Sequence, residues 1–599
     1  MEKNQLIGIV LMFALLAVYF TFFAPEPPVA EEPTQEVPVE QVEPQNSPST
    51  NQLAQEKTAV IDSAKLGAFT FAAAGEETLR SFENDELLIT FSSKGGLIHE
   101  VVLKNHKDYL GQPLQLVDPD KSSISLMLPY QNEQINLAEL AFTSSSQKKG
   151  DTVLLLYSLK SADFSIVQEY TIPPTGVEIG YELRTTGLSK IIDNRDATLA
   201  WAYDINRTES NLEDSRRNSN LRFKTLAEDY DELDQTSEQY EQQSIAEPLN
   251  WIAFKQKFFT TGIIAKSSFA GAVVEQKVDP NDTSVVKSLN ANIRIPGQQL
   301  SEGFGYKYYF GTNRYSILKK VAPEFEENLD MGWGPLPVVN IYLIIPIFHF
   351  LERFFTNYGV IIMIIVIIIR LILSPLTYKS HMSMAKMRVM KPELDEIKEK
   401  HDGDMQKAQQ EQMKLYQQVG INPLSGCIPM LLQMPILFAL FFFFPNAVEL
   451  RQQSFLWAHD LSTYDSIINL PFTIPFYGNH VSLFTLLMTL STILYTWSNS
   501  QITTVQGPMQ TLQYIMPVMF LFVLNSYASG LTFYYFVSNM ATFGQTVLFR
   551  KFIDEDKIHS VLQENKKKNA NKKKSKFQTK LEEAMKASQE AQRQKKKKK

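Results

Sequence analysis

Apolar residues crowd the start and the last two fifths of this 599-residue chain, and the stretch between them alternates. Leu6 to Phe23 is an apolar run of about eighteen residues, close to the ~20 that cross a bilayer as a helix. Its exit, Phe22-Phe23-Ala24-Pro25, lacks a small-x-small cleavage site, so residues 1–24 read as an uncleaved membrane anchor rather than a signal peptide. Residues 25–75 are rich in Pro, Glu, Gln, Ser and Thr. They carry too few large apolar side chains to offset ordering entropy and predict an acidic, extended, flexible linker.

From 76 to 325 the period changes to two. Leu87 to Phe91, Thr152 to Leu159, Phe164 to Tyr170 and Val177 to Leu183 are short alternating runs, separated by turn signals such as Gly95-Gly96 and Pro173-Pro174-Thr175-Gly176. Regular short strands with turn residues between them predict an all-β sandwich. Asp193 to Glu247 is highly charged and predicts a long exposed loop or insertion. His99 and His106 are too isolated to suggest a metal site.

Beyond Trp333 the chain turns apolar again. Residues 326–356 contain Val338 to Phe355, where Pro346, His349, Glu352 and Arg353 interrupt Ile, Leu and Phe. That mixture predicts an amphipathic helix lying in the membrane surface. Val360–Leu376, Pro423–Phe444, Val481–Trp497, Leu512–Tyr527 and Leu531–Phe549 predict five spans within a core at 357–549. With the anchor the total is six. The segment 379–419 splits around Asp402-Gly403-Asp404 into two charged helical pieces, the pattern of a helical hairpin. Its sparse apolar positions predict light packing.

Charge orients these elements. The formal net charge is −7, yet Arg550 to Lys599 holds 18 Lys or Arg against 7 Asp or Glu. Lys379 to Lys414 carries eight basic residues and Pro445 to His480 only Arg451. By the positive-inside rule the hairpin, the tail at 550–599 and both termini are cytoplasmic, and the β domain is extracytoplasmic. Cys427 is the one cysteine, so no intramolecular disulfide is available.

The informative residue is Arg370, within the first span of the core. An arginine at a helix centre costs about 2.5–3.5 kcal/mol on insertion scales. No Asp or Glu stands in any of the five core spans. Snorkelling would have to cover the nine residues to Lys379, roughly 13 Å of helix. A hydrated pocket open to the cytoplasm is the preferred reading. Other polar positions within or at the ends of spans are Gln433, Asn525, Tyr534, Tyr535, Ser538 and Asn539. Positions 535, 538 and 539 share a helix face. For each of these residues two readings stand, groove lining and interhelical hydrogen bonding.

Several stretches resemble the YidC insertase family. They are Ile369-Arg370-Leu371-Ile372-Leu373-Ser374-Pro375-Leu376-Thr377, Ser383-Met384-Ala385-Lys386-Met387-Arg388, Asn422-Pro423-Leu424-Ser425-Gly426-Cys427, Gln433-Met434-Pro435-Ile436, Val448-Glu449-Leu450-Arg451, and Ser529-Gly530-Leu531 through Tyr534-Tyr535 to Ser538-Asn539. Trp251 to Phe259 and Gly332-Trp333 are similar to parts of the family's periplasmic β-supersandwich. The resemblance implies a polytopic α-helical protein of the bacterial inner membrane with a five-helix core. That core encloses a hydrophilic groove open to cytoplasm and lipid, with Arg370 attracting acidic or polar parts of a client. It implies nascent membrane proteins as clients, the Sec translocon as a partner, and insertion without nucleotide or cofactor; no P-loop is present. Val366 stands where some relatives are polar, and Asn525-Ser526-Tyr527-Ala528 is more polar than the family pattern.

The Lys clusters at 566–568, 572–574 and 595–599 suit ribosomal RNA through phosphate neutralisation and counterion release. Two rivals are a membrane-anchored binding or scaffold protein and a secondary transporter. The transporter would need midplane ion pairs, broken helices or repeated halves. No catalytic motif points to an enzyme.

Overall fold

A computed structural model describes residues 66–131, 133–193, 195–401, 405–421, 428–500 and 508–569. The expected anchor, most of the linker, the 402–404 turn, Cys427 and the last Lys clusters lie outside the described residues. One unit takes in the described residues up to Asp330 together with Asn446–Val448. The other takes in Met331–Pro445 and the residues from Glu449.

The first unit is antiparallel β-structure. A nine-stranded sheet runs in space from Tyr230–Glu232 through Asn220–Thr225, Leu249–Lys255, Phe259–Phe269, Phe304–Thr312, Glu178–Thr186, Ser165–Ile172 and Thr152–Lys160 to Thr143–Lys149. Six-stranded and four-stranded sheets complete it. The inward positions carry large aromatics: Trp201, Trp251, Tyr157, Tyr170, Tyr181, Tyr306 and Tyr308 are all under 2% exposed. Several polar tips of this core find buried partners: Tyr170 Oη donates to Gly96 O at 2.9 Å, Tyr203 Oη to Leu116 O at 2.7 Å and Trp251 Nε1 to Pro323 O at 2.9 Å, whereas Tyr157 Oη and Trp201 Nε1 have none among the described residues. Where the tip is satisfied, such a ring fills the core at little polar cost.

The expected loop at 193–247 is instead largely ordered structure. Ala197–Asn206 is a central strand between Val285–Ile295 and Ser122–Tyr130. Ala197, Leu199, Trp201, Tyr203 and Ile205 are buried and their neighbours are not. Period-two burial decides strand formation, and the charged residues that follow disguise it when composition is averaged over the whole window. Asn220–Thr225 and Glu241–Ile245 are strands as well.

Among the described residues, charge enters this unit's interior at Lys257, which pairs with Asp214 at 2.5 Å, and at two further places. Arg222 and Lys255, 2% and 1% exposed, converge on Asp330 at 2.7 and 2.5 Å. Burial alone would raise the Asp330 carboxyl, but the two cations hold it well below the usual carboxylate range. Lys287 donates to the carbonyls of Gln235 and Ser237 at 3.1 and 3.2 Å. Burial pushes its ammonium down to about 8, with Glu241 and Asp234 opposing.

The second unit is helical. Its helices are α1 (Leu336–Leu351), α2 (Tyr358–Val389), α3 (Lys391–Lys400), α4 (Met405–Val419), α5 (Ile428–Asn446), α6 (Leu483–Ser500), α7 (Pro508–Leu524), α8 (Ser529–Phe552) and α9 (Glu555–Asn569). Among the described residues, α2 is the helix long and apolar enough to cross a membrane by itself; the apolar parts of α1, α5, α6 and α7 are shorter. Asn357 caps α2 by accepting from Val360 N at 3.1 Å. In α1, Val338, Tyr342 and Phe350 are exposed, while Asn340 is fully buried and donates to Met331 O and Ala439 O.

The hairpin expected at 379–419 takes the form of α3 and α4, but it is not lightly packed. Ala385, Met390, Leu394, Leu415, Val419, Ile421, Ile558 and Leu562 form one buried cluster. The last two lie on α9, where the sequence reading placed only a basic tail. Glu393 accepts from Lys566 at 2.6 Å and from Gln563 at 3.1 Å. Sparse apolar positions on α3 and α4 are therefore enough, because a third helix supplies the missing half of the core.

Candidate substrate site around Arg370

Two helices bring Arg370 its hydrogen-bond partners. From α2, the guanidinium donates through Nη1 to Gln433 Oε1 of α5 at 3.2 Å. Nη2 donates to the carbonyl and the hydroxyl of Ser538 on α8, at 3.1 and 2.5 Å. The residue is 8% exposed. Tyr495, Tyr534 and Tyr535 stand near enough to interact with it electrostatically. Among the described residues no carboxylate pairs with Arg370, so its positive charge is dispersed over neutral dipoles. Such contacts satisfy donors without cancelling the charge.

Helices α2 and α5 each carry a proline close to the meeting point. Pro375 lies inside α2 five residues past Arg370, and Pro435 inside α5 two residues past Gln433. Each removes an N–H from its helix ladder, a loss that neighbouring helices and polar side chains make tolerable in a membrane. Val366, one turn before Arg370, is 1% exposed and adds no polarity.

The polar candidates divide by position. Arg370, Gln433 and Ser538 come together, with Tyr534 buried and Tyr535 half-buried beside them. Asn539 turns to α6 and donates to Ser491 Oγ at 3.0 Å and Thr492 Oγ1 at 2.8 Å. Asn525 is remote from this group in its bonding. Fully buried, it donates to Tyr477 O at 2.9 Å and His480 O at 2.8 Å, and accepts from Ser482 N at 3.0 Å. It thereby clamps the hairpin of Ile468–Ile474 and Gly478–Val481. Asp465 works beside it, accepting from Ser482 Oγ at 2.5 Å and capping α6 through Leu483 N and Phe484 N.

Two participants escaped the sequence reading. Gln545 Nε2 donates to the Arg370 carbonyl at 3.2 Å, and Thr542 Oγ1 to the Ser538 carbonyl at 2.7 Å. Continuing the row of Ser538 by three- and four-residue steps reaches Thr542, Gln545 and Thr546, so the signal was the helical period itself.

The pattern of the 60Kd inner membrane protein family matches residues 350–557, and that of the YidC periplasmic domain residues 80–336. A membrane protein insertase YidC of Amoebophilus asiaticus is 42% identical over 98% of this chain and 99% of its own. Another, from Cytophaga hutchinsonii, is 38% identical over 98% of each. A solved structure of an active YidC insertase covers 82% of this chain at 17% identity and a TM-score of 0.32, too distant in shape to add to the sequence match. With both family patterns present and relatives alike from end to end, the chain belongs to the YidC family of membrane protein insertases.

Proposed function

We propose that this chain inserts nascent proteins into the bacterial inner membrane and assists their folding. The observation that carries the proposal is Arg370, nearly buried on an apolar helix and held only by neutral partners among the described residues. A client's short acidic or polar segment is drawn to that charge in a groove open to cytoplasm and lipid. The site lowers the cost of desolvating the segment, and partitioning of the client's apolar helix supplies the drive. Gln433 and Ser538 hold the guanidinium in place; Tyr534 and Tyr535 flank it, and Asn539 and Asn525 fix the helices and the hairpin around it. No nucleotide or cofactor enters this scheme.

The placement in the membrane is part of the same reading. Six spans, counting the anchor, put both termini and the α3–α4 hairpin in the cytoplasm and the β domain in the periplasm. The exposed Val338, Tyr342 and Phe350 of α1 suit a helix lying at the lipid surface. The basic tail, residues 550–599 with the cytoplasmic loops, serves the ribosome, and larger clients are shared with the Sec translocon.

The test is protease protection of a small single-span client synthesised with liposomes that contain only the purified protein. Protection of the client's translocated end is expected. Protection no greater than in empty liposomes, with a control insertase active, defeats autonomous insertion.

A further inference from the structure

Away from Arg370, a second cationic recess lies where α2, α8 and α9 meet. Its cavity is about 80 Å³, lined by His381, Met384 and Arg388 of α2, Arg550 of α8, and Ile553 and Glu555 at and just before the start of α9. That is space for several water molecules, and enough for a phosphate group. Two guanidinium groups face one carboxylate there. Arg388 spends Nη1 on Glu555 Oε1 at 2.7 Å, yet its Nε is buried with no hydrogen-bond partner among the described residues. Arg550 makes no ion pair among the described residues. His381 is 9% exposed, and its Nε2 lies 3.4 Å from Thr546 Oγ1. A buried guanidinium N–H without an acceptor is costly, and an oxyanion is the group that would satisfy it.

We infer that this recess binds a phosphate group, held between Arg388 and Arg550. Position favours the phosphodiester of an anionic lipid headgroup as its source. Arg550 directly follows the apolar run of α8, and Val547, Leu548 and Phe552 beside it are 43%, 51% and 68% exposed. Exposed apolar side chains next to a cation are the surroundings of a lipid at the cytoplasmic interface. Met384 and Ile553 give the recess an apolar wall that suits a glycerol backbone.

The full chain in uncharged detergent is titrated with dioctanoyl phosphatidylglycerol, with inorganic phosphate, and with dioctanoylglycerol, which lacks the phosphate. The phosphatidylglycerol is expected to bind, the dioctanoylglycerol not. Arg388→Gln with Arg550→Gln weakens binding by about tenfold or more. Glu555→Gln, which frees Arg388 from its internal partner, tightens it. Saturable binding of inorganic phosphate alone, with the same response to the variants, assigns the site to free phosphate instead of a headgroup. Equal binding of dioctanoylglycerol, or no binding of either phosphate compound, overturns the proposal. So does unchanged affinity in Glu555→Gln, which stands as the deciding variant if the double substitution fails to fold.

Discussion

Arg370 touches Ser538 twice through one nitrogen, Nη2, at the hydroxyl and at the backbone carbonyl. The carbonyl survives any substitution at 538. Ser538→Ala therefore removes one charge-assisted bond, and the expected loss of stability, read as a lower melting temperature in detergent, is about 1.5–3 kcal/mol. Arg370→Ala removes the charge itself and is expected to impair clients with acidic external tails more than neutral ones. Insertion yields of paired clients check this, and equal impairment of both sets removes the charge-attraction step.

Asn525 predicts a different kind of defect. Asn525→Ala strips donors from Tyr477 O and His480 O and the acceptor from Ser482 N. Leaving several buried groups unpaired costs on the order of 3 kcal/mol. The expected outcome is a lower melting temperature in detergent and a loss of insertion that does not depend on client charge.

Leu562 is 1% exposed within the cluster that joins α9 to the hairpin. Leu562→Ala is expected to cost about 2–5 kcal/mol locally, and to expose α3 and α4 to limited proteolysis while α2 stays protected. Lys566→Ala breaks only a half-exposed pair with Glu393, worth less than about 1 kcal/mol, and should leave the cleavage pattern nearly unchanged.

Lys287 predicts a pH dependence. Its folded value of about 8 lies below the ordinary 10.5. Between these two values the unfolded chain binds the proton and the folded one does not, so this group makes stability rise with pH across that window. Burial also lowers Lys255 to about 8, so urea midpoints of the β domain are expected to climb from pH 8 toward 10, and Lys287→Met is expected to reduce the climb by about half.

The elements that could be read in advance share one property: a single face or a single period determined them. The alternating strands, the apolar α2 and the α3–α4 hairpin are local patterns. What stayed hidden depended on a partner distant in sequence. Leu562 completes a core begun by Leu394, and Asn525 is spent on a hairpin more than forty residues upstream. Trp201 alternates clearly within its strand, but the charged stretch after it dominates any average over the window. At Arg370 the missing carboxylate was legible in composition. Gln433 and Ser538 appeared as polar residues in spans, yet only the crossing of α2, α5 and α8 shows that they meet.

The neutral company of Arg370 has a kinetic meaning. A resident carboxylate would have to be evicted by every arriving acidic segment and would reclaim the arginine behind it. Gln433 and Ser538 ask only that weak hydrogen bonds open and close. Under the proposed reading, the arginine then works as a turnstile rather than a lock: it attracts each passenger, holds it briefly, and is ready for the next without any resetting step.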